Sequence, residues 1–177
     1  MKLNLGCGNM PLHDWKNIDK YYYPGTAEMH PEHGTPEDYD WEQGDFTDLS
    51  KFEDNSVDRV NICHALEHVS IEDARKTLGE IYRVLKTGGD VEIEVPDLEK
   101  IFFAFSVGVF SYEEMLDLVY GGRDSNVYWG GHFCGFTPNI LRDQMEQFGF
   151  KNITIEAVGF GTSKGEPDRN FRLRGIK

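Results

Sequence analysis

The chain has 177 residues, 39% hydrophobic and 28% charged, which suits a single domain, 1–177, around one core. Eighteen basic residues face thirty-one acidic ones, for a formal net charge of −13. Nucleic-acid binding rests on neutralising phosphates, so no DNA or RNA partner is expected of so acidic a chain. The locally basic run of Arg169, Arg172, Arg174 and Lys177 reads as a solvated strand face. No apolar run approaches the ~20 residues that cross a bilayer, so no membrane partner is expected. The first residues carry no hydrophobic signal core, and Cys7, Cys63 and Cys134 fit neither a disulfide framework nor a zinc spacing. A cytoplasmic protein with reduced thiols is the expectation.

The first strand, Leu3-Asn4-Leu5, runs straight into Gly6-Cys7-Gly8, and a second short strand is Lys16-Asn17-Ile18-Asp19. Residues 20–40 show no period and read as a long loop. A marginal third strand lies near Trp41 to Gly44, and Val57 to Cys63 is the fourth. Ser70 caps a helix in which Ile71, Ala74, Leu78, Ile81 and Leu85 recur at helical spacing, with Gly88 and Gly89 expected to stop it. Val91 to Val95 follows as a strand ended by Pro96, completing a βαβ unit. A helical stretch near 97–105 precedes a second helix over 112–120, where Ser111 and Glu114 form a capping box. A glycine-rich aromatic loop, Tyr128 to Phe133, leads to a helix opened by Thr137-Pro138 and closed by Gly149, with Ile140, Leu141, Met145 and Phe148 on one side. Strands Ile153 to Val158 and Asn170 to Arg174 finish the chain.

The strands alternate. Asn4 lies between Leu3 and Leu5, Asn61 between Val60 and Ile62, Glu92 and Glu94 among Val91, Ile93 and Val95, and Arg172 between Phe171 and Leu173. A strand covered on both faces would be continuously apolar, so period two predicts a sheet with reduced helix cover on one face. Glu92 and Glu94 are expected to pair across strands with Arg172 and Arg174. The poorly covered face is a candidate homodimer surface, or simply a solvated one.

Glycines directly after a buried strand let the backbone turn tightly and approach a ligand, at the carboxyl end where open α/β sheets bind theirs. Asp19 ends the second strand, where an acid can accept from both hydroxyls of a ribose. Asp45, in Gly44-Asp45-Phe46, can accept from an adenine amino group, and Phe46 can cover the ring or belong to the core. The series Leu-Asn-Leu-Gly-Cys-Gly, Trp15 to Asp19, Gly44-Asp45-Phe46, Ser56-Val57-Asp58 to Ala65-Leu66-Glu67-His68-Val69, and Leu85-Lys86-Thr87-Gly88-Gly89 resembles class I S-adenosylmethionine-dependent methyltransferases of the small, type 11-like kind over residues 1–100. The segment from Thr137-Pro138 to Phe148-Gly149-Phe150 looks like that family's closing segment.

The resemblance implies an α/β, Rossmann-like three-layer fold with a mostly parallel seven-stranded sheet, its last strand antiparallel. It implies S-adenosylmethionine (SAM) as cofactor, S-adenosylhomocysteine as product, and in-line methyl transfer. Gly6, Cys7 and Gly8 would line the methionine part, Asp19 and Lys20 the ribose side, Asp45 and Phe46 the adenine, and His64 and Ala65 the methionine end, with Glu67 and His68 close by. Residues 1–100 form the cofactor half and 100–135 an insertion covering the acceptor. Three departures stand out: Asn4 where the family often has an acid, no third motif glycine, and a crossover from Gly8 to Lys16 too short for a normal helix. The missing third glycine and the early Asp19 also argue against a nicotinamide cofactor.

His132, His64 and His68 are the candidate general bases, His132 first because it lies in the aromatic loop. The spacing of His64 and His68 also raises a metal reading, but no third ligand is visible and none is expected. The expected acceptor is a small molecule or sugar-like, held by Tyr21-Tyr22-Tyr23, Tyr112, Tyr120, Tyr128 and Trp129. Phe102, Phe103, Phe105 and Phe110 serve equally well as core. A non-catalytic SAM-binding interaction module and aminopropyl transfer on the same fold are the alternatives.

Overall fold

A computed structural model describes residues 1–8, 10–20, 39–121, 131–159 and 169–177. Its strands are β1 (Lys2–Leu5), β2 (Lys16–Asp19), β3 (Asp40–Gln43), β4 (Val57–Cys63), β5 (Leu85–Pro96), β6 (Lys151–Val158) and β7 (Asn170–Ile176). They form one sheet in the order β3-β2-β1-β4-β5-β7-β6. The first five pair in parallel, and β7 runs antiparallel to both β5 and β6. The helices are α1 (Ile71–Val84), α2 (Leu98–Ser106), α3 (Tyr112–Tyr120) and α4 (Pro138–Phe148). Ser70, Asp97, Ser111 and Thr137 cap them, each accepting from a first-turn amide. Tyr21-Tyr22-Tyr23, Tyr128 and Trp129 lie outside the described residues.

The two-residue period sorts the sheet's faces. Leu3, Leu5, Ile18, Val60, Ile62, Val91, Ile93, Val95, Phe171 and Leu173 point one way and are buried with Leu78 and Ile81 of α1 and Leu141 and Met145 of α4. Fully burying each such side chain contributes about 1.5–3 kcal/mol, so this face carries most of the stability. The other face bears the polar set. Glu92 sits opposite Arg174 and Glu94 opposite Arg172, and both expected pairs form: Arg174 Nη2 meets Glu92 Oε2, and Arg172 Nη2 lies 2.9 Å from Glu94 Oε2. Arg59 adds an ion pair to Asp90 (3.1 Å) and a hydrogen-bonded one to Glu92 (3.3 Å). This face opens into a groove of about 450 Å³ lined by Asn4, Trp15, Arg59, Asn61, Glu92 and Arg172 among others.

Three details depart from expectation. The helix that Gly88 and Gly89 were expected to stop ends earlier, at Val84, because Leu85 is extended and buried opposite Val57, so both glycines lie inside β5. Ile140 is exposed, since Leu141 and Met145 alone carry the buried stripe of α4. Phe102, Phe103 and Phe105 are exposed on α2, whose buried residues are Ile101 and Ala104.

The short crossover from β1 to β2 contains no helix among its described residues, and Asn17 organises it instead. Its Oδ1 accepts from Leu12 N (2.8 Å) and Asn4 Nδ2 (2.9 Å), while its Nδ2 donates to Leu12 O and Trp15 O, both at 3.0 Å. Asn61 Nδ2 continues the ladder to Asn4 Oδ1 at 2.8 Å. Asn17 is fully buried, so Asn17→Leu keeps the branched shape but strands these groups. The expected cost is about 2 kcal/mol or more, read as a lower urea midpoint with an unchanged slope.

Candidate active site

The carboxyl ends of β1, β2 and β3 converge on the glycine turn. Gly6 sits at φ +62°, and its amide donates to Ile18 O at 2.8 Å. A Cβ at Gly6 would lie 2.3 Å from Ala65 Cβ, so the turn after β1 passes against the loop after β4 with no room for a side chain. Gly8, at φ +49°, faces open space and donates its amide to Asp19 Oδ2 at 2.8 Å. Cys7 is buried between them, and burial together with the Asp19 charge pushes its thiol up to about 12. Cys63 is likewise pushed up to about 12 and Cys134 to about 11, burial leading in each, so all three thiols stay protonated at neutral pH.

Beyond β3, Asp45 Oδ1 accepts from Thr47 N (2.9 Å) and Oγ1 (2.7 Å), and Lys20 Nζ lies 2.8 Å from Oδ2. Burial works against this carboxylate, but the Lys20 and Thr47 bonds prevail and hold it below its ordinary range. Phe46 is 8% exposed, with ring atoms close to the position a Gly6 Cβ would take. It therefore packs in the core against the glycine turn.

The loop after β4 brings the histidines in. His64 has a left-handed backbone, φ +50°, uncommon for a side chain of its size. Its Nδ1 lies 3.2 Å from Glu67 Oε1 and its Nε2 3.4 Å from Glu94 Oε1. Burial disfavours the charged ring, yet the two carboxylates outweigh it and raise the pKa to about 9. His64 is thus an imidazolium at neutral pH, already carrying the proton a general base would accept.

Glu67 and His68 lie in the 3-10 turn Leu66–His68. The Glu67 carbonyl accepts from Phe133 N (2.8 Å) and Cys134 N (3.3 Å), and Leu98 N donates to Phe136 O at 3.0 Å, which docks the 131–136 loop onto the ends of β4 and β5. His68 Nδ1 lies 3.0 Å from Gly131 O, and the His68 and His132 rings meet edge-on with centroids 4.9 Å apart. Burial is the main cause holding His132 below its ordinary value, so it is neutral. The fold therefore joins His68 and His132 across Glu67, while His64 stands on the other side of the same carboxylate. Sequence reasoning placed Glu67 only nearby; its position one residue before His68 was the available signal for a shared acid.

A sheet in the order 3-2-1-4-5-7-6 with β7 reversed, a glycine turn after β1 and acids closing β2 and β3 define a class I, Rossmann-like, SAM-dependent methyltransferase. A family model described as a methyltransferase domain matches residues 3–93, and the chain belongs to that family. Among solved structures it is similar to a SAM-dependent methyltransferase of Thermotoga maritima (TM-score 0.62, 18% identity, 99% of this chain and 81% of that one). It is similar also to a SAM-dependent methyltransferase of Archaeoglobus fulgidus (0.65, 15%, 99% and 85%). A third similar structure is human N-acetylserotonin methyltransferase in complex with SAM (0.59, 16%, 99% and 47%). No functionally curated protein matches the sequence. No helix among the described residues is long and apolar enough to cross a membrane.

Proposed function

We propose that the enzyme methylates a small-molecule or sugar-like acceptor that enters beside His132, with S-adenosylhomocysteine as product. The observation that carries this reading is the neutral, half-buried His132 packed against His68, in the 131–136 loop that docks on the Glu67 carbonyl after β4.

The residues fit the cofactor: the backbone at Gly6 and Gly8 is bare, one with no room for a Cβ and the other facing open space. Gly6, Cys7 and Gly8 line its methionine part, with His64 and Ala65 at the methionine end. Asp19 takes the ribose hydroxyls in exchange for its bond to the Gly8 amide. Asp45 and Phe46 take the adenine, with Lys20 on the ribose side bonded to Asp45 and Phe46 packed against the turn. Bound SAM supplies a sulfonium methyl already activated for displacement.

The chain has to hold an acceptor in line at ~3–3.5 Å, where orientation alone supplies several kcal/mol. Neutral His132 then accepts the proton of an acceptor hydroxyl, with His68 as its neighbour. Imidazolium His64, between Glu67 and Glu94, orients the site and does no base chemistry. Residues 100–135 serve as the acceptor-covering segment, since Tyr112, Tyr120 and Phe133 expose 58%, 63% and 73% of their surface for stacking.

With an acceptor found by screening for S-adenosylhomocysteine release, His132→Ala is expected to lower kcat by about 100-fold or more while leaving the Kd for SAM unchanged. Unchanged turnover would remove His132 as the base.

A further inference from the structure

We infer that Glu67, His68 and His132 form a binding site for one divalent transition-metal ion of the zinc type. Their ligand atoms all lie within 4.8 Å of one another. Tetrahedral zinc ligands sit about 3.4 Å apart, so the side chains need close by only about an ångström.

Three features distinguish a ligand set from a chance cluster. Glu67 is 1% exposed, and among the described residues its Oε2 has no hydrogen-bond partner. A buried carboxylate oxygen left unpaired is costly, and a cation relieves it. His68 is bonded through Nδ1 to the Gly131 carbonyl, which fixes the N–H there and leaves the Nε2 lone pair available. The His132 ring meets the His68 ring edge-on with centroids 4.9 Å apart, which holds it beside Glu67. Metal-bound histidines are held as His68 is, the distal N–H given to a backbone carbonyl. The other Glu67 oxygen, Oε1, is fixed by His64.

A second cluster, Cys63, His64 and Glu94, is equally compact, but there both ring nitrogens of His64 already face carboxylates. It has no lone pair to offer.

Two histidines and one carboxylate suit zinc, cobalt or non-haem iron and leave coordination positions open. An ion here uses the lone pair through which His132 would take a proton. His132 is therefore the base only while the site is empty; an ion held there would in its place lower the pKa of a coordinated acceptor hydroxyl. The inference does not depend on methyl transfer, because the ligands are assembled without cofactor.

The test is calorimetric titration of chelator-treated, full-length protein with Zn²⁺, alongside Co²⁺ titration followed by visible absorption. One equivalent should bind with low-micromolar or tighter affinity, give the bands of four- or five-coordinate Co²⁺, and raise the thermal midpoint. His68→Gln and His132→Gln should each weaken binding at least tenfold while matching the wild-type midpoint in chelator. Cys63→Ser should bind as wild type does. Folded wild type that takes up no Zn²⁺, or undiminished uptake by the His68→Gln/His132→Gln double variant, overturns the inference. SAM titrated separately distinguishes the readings: SAM binding without metal binding rejects the site alone, and metal binding without SAM binding rejects the cofactor assignment alone.

Discussion

Asp19→Ala is expected to weaken SAM binding by about 100-fold, since a carboxylate that accepts two ribose hydroxyls contributes about 1.5–3 kcal/mol per charged bond and 1.4 kcal/mol is a factor of ten. Part of that is offset because the carboxylate already accepts from the Gly8 amide at 2.8 Å and must exchange that bond. In the variant the part-buried Gly8 amide bonds to water in place of the carboxylate, so the thermal midpoint should move little. Calorimetric titration with SAM and with S-adenosylhomocysteine reads the effect directly. The two should lose affinity equally, because they share the ribose. An unchanged Kd would mean that the ribose does not lie at the end of β2.

Gly6→Ala acts on stability and affinity together. The left-handed backbone costs a side chain about 1–2 kcal/mol. The new Cβ would also meet Ala65 Cβ at 2.3 Å, and overpacking of that kind typically costs a further 1–3 kcal/mol. Ala65 is 4% exposed and sits in the loop after β4, so it has little room to retreat. The expected total, about 3 kcal/mol, lowers the thermal midpoint by roughly 6–12 °C in a domain of this size. SAM binding should be lost as the glycine turn and the β4 loop are pushed apart. Adding Ala65→Gly removes the clash and leaves the backbone cost, so the double variant should recover about half of the lost stability. Simple additivity of the two substitutions would show that these loops do not meet.

The parts of this molecule that were legible in its sequence are those governed by local rules. Alternation in β1, β4, β5 and β7 announced a polar sheet face, and the Glu92–Arg174 and Glu94–Arg172 pairs follow from strand period and polarity. The caps at Ser70, Ser111 and Thr137 are likewise set by a few neighbouring residues. What escaped depends on chain segments distant in sequence. His68 and His132 meet because the 131–136 loop docks on the Glu67 carbonyl, which no periodicity encodes. The core reading of Phe46 was open in the sequence, but its packing beside Gly6 and Ala65 was not. The end of α1 at Val84 reflects the pull of the sheet on Leu85, whose spacing from Ile81 suits a helix equally well. Asn17 reads in the sequence as one strand residue, yet it gives a helixless crossover its shape.

That crossover bears on which nucleotides the scaffold accepts. In dinucleotide-binding folds the helix after the first strand aims its positive dipole end and its unpaired amides at a pyrophosphate. SAM has no phosphate and carries a positive sulfonium, to which such a dipole would contribute repulsion. Among its described residues this chain crosses from β1 to β2 through an Asn-pinned loop with no helix to aim at a ligand. Such a loop offers a pyrophosphate no helix dipole, so a phosphate-bearing nucleotide is expected to gain nothing from that source here.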